Sequence, residues 1–86
     1  MNKLFRQCLA AIPKEQAAAF ELSFSIADRL DAVLKEKGVT QHELAVRLHK
    51  RDSEVSKWLT GRHNFTLNTL SMIESALGAK LIQVAQ

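Results

Sequence analysis

Apolar positions recur at helical spacing along most of the 86-residue chain, and the breaks between them divide it into five helices. Leu4, Cys8 and Ala11, with Phe5, Leu9 and Ile12 beside them, predict a first helix over about residues 3–11. Pro13 closes it and suits the first turn of the next, because its fixed φ is already helical. A second helix runs from about Lys14 to Lys37 and stops at Gly38, which can take a left-handed cap. Two stripes mark it: Phe20, Phe24, Ala27 and Leu34, and Leu22, Ile26, Leu30 and Val33. Apolar side chains therefore surround most of the helix near residues 20–27, which predicts packing on two sides. One side faces the core and the other faces the first helix or a partner subunit.

The third helix has the clearest start. Thr40-Gln41-His42-Glu43 has the form of a capping box, with Val39 and Leu44 placed as a hydrophobic staple. It continues to about Leu48, and His49-Lys50-Arg51 makes a three-residue turn. A fourth helix spans about Asp52 to Thr60 and ends at Gly61. Thr66 caps a fifth, Leu67 to Leu77, with Leu67, Leu70, Ile73 and Leu77 on one face and Gly78 as its stop. The tail, 79–86, carries Leu81, Ile82 and Val84 but is too short for a stable helix, so it is expected to pair across a dimer or pack on a neighbour.

The expected architecture is thus all-α: one domain over 1–86, with a central pair of short helices at 40–61. An N-terminal helical extension at 1–37 and a short C-terminal extended tail at 79–86 flank that pair. Composition supports it. Hydrophobic residues make up 47% of the chain, too many for a disordered segment, and Gly and Pro together number only four. No apolar run approaches the roughly 18 residues of a membrane span, and Met1 to Pro13 lacks the pattern of a signal peptide, so no membrane partner and a cytoplasmic location are expected. Cys8 is the sole cysteine and is read as a small buried apolar residue.

The net charge of +3 changes the picture only slightly. Splitting the chain after Gly38 leaves six bases against five acids in the first part and six against four in the second. What matters more is where the bases fall, because Lys50, Arg51, Lys57 and Arg62 gather around the fourth helix. There Val55, Trp58 and Leu59 form an inward stripe, and Ser53, Ser56, Lys57 and Thr60 are left for the outer surface. Ala45 stands where the third and fourth helices should cross closely. Two short helices joined by a tight turn are what is needed to insert one of them into a DNA major groove.

Catalysis and metal binding find no support. His42, His49 and His63 are spaced 7 and 14 apart, which fits no compact ligand motif. Ser, His and Asp occur without any order that would build a nucleophilic site. No catalytic residue, metal or cofactor is assigned, and the chain is not expected to be an enzyme.

Thr40-Gln41-His42-Glu43-Leu44-Ala45, then Leu48, Ser53, Val55-Ser56-Lys57-Trp58 and Gly61, resembles the Cro/repressor-type (XRE) helix-turn-helix family, whose pattern is close to TQxxLAxxLGxSxxxISxWxxG. The resemblance covers about 22 residues in register. It implies that Asp52, Ser53 and Lys57 read base edges, with Lys57 donating to guanine and Asp52 accepting from the cytosine amino group. It also implies phosphate contacts from Gln41, from Arg51 and Ser56 around the reading helix, and from Thr60, Arg62, His63 and Asn64 after it. Two positions depart from the pattern. His49 stands where the family has Gly, and Arg51 stands where it has Ser or Thr, so Asp52 or Ser53 is expected to cap the reading helix and to start it late.

The partners implied are double-stranded DNA, a second copy in a homodimer and, for an antitoxin that represses its own operon, a cognate toxin protein. A dimeric repressor is the leading expectation, with the antitoxin as its alternative. A third reading is a protein-interaction module whose helix pair no longer binds DNA, motivated by His49, Arg51, Asp52 and Glu54.

Overall fold

A computed structural model describes residues 14–85 of the chain. The expected first helix and Cys8 lie outside the described residues. Four helices follow one another: α1 (Lys14–Lys37), α2 (Gln41–Leu48), α3 (Asp52–Leu59) and α4 (Leu67–Leu77). There is no strand among the described residues. These are the second to fifth helices of the sequence reading, with boundaries within a residue of those expected.

Local chemistry explains most of those boundaries. α1 places Glu15 in its first turn and Lys35 and Lys37 in its last, charges that complement the helix dipole. It ends where Gly38 turns left-handed (φ 65°) and the Val39 amide donates to the Leu34 carbonyl at 2.9 Å. α2 opens on the expected capping box: the Glu43 amide donates to Thr40 Oγ1 at 3.1 Å, and the Thr40 amide donates to Glu43 Oε1 at 3.4 Å. α4 opens on Thr66, whose hydroxyl accepts from the Thr69 amide, and closes on left-handed Gly78.

The core is built where the four helices converge. α1 packs on α3 and α4, and α2 packs on the same two helices. Leu30, Val33, Leu44, Val55 and Ile73 are fully buried, and Ile26, Leu34, Ala45, Trp58, Leu70, Leu77 and Leu81 complete the cluster. Each large aliphatic side chain so buried contributes roughly 1.5–3 kcal/mol, enough to hold helices of eight residues that would not persist alone.

Three features of the packing qualify the sequence reading. Leu67 shares the spacing of Leu70, Ile73 and Leu77, yet it is 78% exposed, because the first turn of α4 lies past the edge of the core. The N-terminal half of α1 also extends past that edge, so Phe20 and Leu22 are exposed among the described residues, and the first helix expected beside them lies outside those residues. The tail folds onto its own domain. Leu81 is buried in the core, and the Leu81 and Ile82 amides donate to Glu74 Oε2 at 2.7 and 3.3 Å. Arg29 holds the same segment from the other side, its Nε donating to the Lys80 carbonyl at 3.1 Å.

Candidate DNA-binding face

α2 and α3 form a tight pair. Ala45 is buried where they meet, and the short side chain lets the two backbones approach. The turn between them depends on His49, which adopts the left-handed conformation (φ 56°, ψ 41°) that the related pattern gives to glycine. His49 donates its amide to the Val46 carbonyl at 3.2 Å, and Lys50 donates to Ala45 at 2.9 Å. The turn geometry is therefore kept although the residue is not glycine.

α3 starts at Asp52, with Arg51 as its N-cap and no side chain bonded to the free amides. The expected cap by Asp52 or Ser53, and with it the late start, does not occur. Burial of Val55 and Trp58 one turn further on fixes the register in place of a cap. Asp52 and Glu54 in the first turn suit the positive end of the helix dipole.

With Val55 and Trp58 buried and Leu59 half-buried, Ser53, Ser56, Lys57 and Thr60 line the exposed side at positions i, i+3, i+4 and i+7. Gln41 is exposed in the first turn of α2, and Lys50, Arg51 and Asp52 are exposed in and after the turn. Arg62 and Asn64 are exposed beyond α3. The face thus combines small polar side chains and bases with two acids, Asp52 and the partly buried Glu54.

Two of the residues singled out in the sequence carry internal duties. The Thr60 hydroxyl donates to the Lys57 carbonyl at 2.7 Å and accepts from the Arg62 amide at 3.2 Å, which shapes the exit from α3. His63 is half-buried, edge-on to Phe65 at 4.9 Å between ring centroids and 6.4 Å from Trp58. Gly61 lies between them, buried with φ 84°, and a β-carbon there would overlap the Phe24 ring. Phe24 on α1 thereby fixes the end of the outward-facing helix.

The sequence reading missed two links. His42 Nδ1 lies 3.0 Å from both Asp52 carboxylate oxygens, tying the start of α2 to the start of α3. Arg47 donates to the Ala76 carbonyl at 3.3 Å, close to the end of α4, where a cation is favoured. The first was within reach of the sequence, because a helix-turn-helix brings the two helix starts together; the second depends on how α2 crosses α4.

A short bracing helix, a tight left-handed turn and a second helix with a buried and a polar-basic face define a helix-turn-helix DNA-binding domain. A family model described as helix-turn-helix matches residues 30–83, and the chain belongs to that family, in its Cro/repressor (XRE) type. It is a DNA-binding transcription regulator. Comparison with curated proteins and with solved structures gives no significant match. No helix among the described residues is long and apolar enough to cross a membrane.

Proposed function

We propose that this protein is a sequence-specific repressor that binds a two-fold DNA site as a homodimer. The observation that carries the reading is the outward row of α3, in which Ser53, Ser56 and Thr60 are small and polar beside the single base Lys57, braced from behind by Val55 and Trp58. On this reading Asp52, Ser53 and Lys57 meet base edges. Gln41, Arg51, Ser56, Thr60, Arg62, His63 and Asn64 lie along phosphates, with Thr60 and His63 contributing mainly through the shape they give the exit of α3. Gln41 also sits at a helix start, where free amides favour a phosphate.

A groove of about 530 Å³ between α1, the loop after α3, α4 and the tail supports the dimer. Phe20, Leu22, Leu67 and Val84 line it, and all four are large exposed apolar residues. A concentrated patch of this kind marks a protein-contact surface. A homodimer that reads a two-fold site must hold its two reading helices about 34 Å apart, against successive major grooves. A reporter gene placed behind the protein's own upstream region tests the proposal. Expression should fall when the protein is supplied and recover with Lys57→Ala. Unchanged expression with the natural protein present would count against repression at that site.

The same groove supports a second reading, an antitoxin whose toxin binds there while α3 holds the operator. Co-expression with the product of an adjacent gene, followed by purification, distinguishes the two. A stoichiometric complex that Leu22→Asp abolishes favours the antitoxin, and no complex favours the stand-alone repressor.

A further inference from the structure

His42 and Asp52 lie ten residues apart, each in the first turn of its helix, and both are exposed on the face assigned to DNA. Nδ1 of His42 is 3.0 Å from Oδ1 and 3.0 Å from Oδ2 of Asp52. A carboxylate only accepts, so Nδ1 carries the proton and donates between the two oxygens. With side chains 72% and 64% exposed, such a pair adds little to fold stability. Its effect is orientational. It holds one carboxylate in one place at the tip of the helix that faces the bases.

We propose that His42 is a specificity-positioning residue of the DNA-binding face, acting by holding the Asp52 carboxylate ready to accept from a base amino group. The proposal rests on the reading of α3 as the base-reading helix. A carboxylate has about four lone-pair sites, and one imidazole N–H shared between its oxygens leaves the outer ones free. In the major groove two groups donate, cytosine N4 and adenine N6; the adenine amino group lies beside the N7 acceptor, which repels a carboxylate, so the cytosine amino group is the match. An unheld aspartate beside the phosphates would swing away from their charge and read nothing. Held by His42, it meets a cytosine without first losing its rotamer freedom, and a base pair offering only acceptors at that point would be rejected.

Selection from a pool of randomised duplexes, followed by sequencing, reads the effect directly. The natural protein, Asp52→Ala, His42→Ala, the double variant and His42→Gln, whose amide also donates, are compared. Thermal melting of each variant shows that it is folded. The natural protein should enrich one cytosine position per half-site, and Asp52→Ala should lose that preference. His42→Ala should weaken the same position about tenfold, within the range of one base contact, and leave the other positions unchanged. The double variant should match Asp52→Ala, and His42→Gln should recover part of the preference.

Unchanged preference in His42→Ala overturns the proposal. So does a uniform loss at every position, which is the signature of a phosphate contact. Cytosine preference that persists in Asp52→Ala overturns it while leaving the DNA-reading role of α3 intact. If the natural protein enriches no sequence, that role fails and the proposal fails with it.

Discussion

Two backbone positions around α3 carry opposite costs. His49 holds a left-handed conformation that disfavours any residue with a β-carbon, by about 1 kcal/mol relative to glycine. His49→Gly is therefore expected to stabilise the fold by up to about 1 kcal/mol. Urea unfolding followed by the fluorescence of Trp58, the single tryptophan, measures it, and a destabilised variant would mean that the imidazole has a role in the turn. Gly61 is the reverse case. Left-handed strain of about 1 kcal/mol and overpacking against Phe24 of about 1–3 kcal/mol combine, so Gly61→Ala should cost roughly 2–4 kcal/mol in the same assay. Stability equal to that of the natural protein would show that the Phe24 ring yields freely.

At the scale of elements, two amides of the tail share one acceptor. Hydrogen bonds from the Leu81 and then the Ile82 amide, helped by the charge of Lys80, hold the Glu74 carboxyl below its ordinary range. A carboxyl with a lowered folded value stabilises the fold above its unfolded value, and that contribution is lost as pH falls through the folded value. The melting temperature of the natural protein should exceed that of Glu74→Gln near neutrality, and the gap should close below about pH 4. A gap that stayed constant with pH would contradict the role given to the ionised carboxylate. Thr40→Ala, which removes one half of the capping box, should cost about 1 kcal/mol.

Elements were legible in the sequence where their ends are set by neighbours in the chain. Gly38, Thr40, Thr66 and Gly78 each fix a boundary through bonds three to five residues away, and all four boundaries were read from residue type and spacing. The start of α3 at Asp52 followed from spacing but its capping did not, because Arg51 supplies no side-chain cap and the register comes from Val55 and Trp58 meeting the core. What holds the tail was not legible, because its partner, Glu74, sits inside α4 and looks like any other helix glutamate. Of the binding face, the exposed side of α3 followed from its period and the His42–Asp52 link was within reach of the motif, whereas the internal duties of Thr60 and His63 depend on geometry that spacing does not reveal.

At the scale of the whole molecule, the base-bearing face and the apolar groove adjoin: α2, α3 and the following loop form one, α1, α4 and the tail form most of the other, and Arg62 and Asn64 of that loop border both. If the groove joins two copies, Leu22→Asp should shift the protein toward monomer in sedimentation velocity. Affinity for a duplex with two half-sites should then fall while the protein remains folded. A dimer unaffected by the change would place the interface elsewhere.

The central claim is that the exposed row of α3 selects DNA sequence. A fluorescence-anisotropy titration tests it most directly, comparing the best duplex enriched from a random pool with a scrambled duplex across several salt concentrations. The natural protein should prefer the enriched duplex, with log affinity falling linearly in log salt by about 0.9 per phosphate neutralised. Lys57→Ala should lose most of that preference. Equal affinity for both duplexes, or a preference that Lys57→Ala leaves intact, would contradict the account.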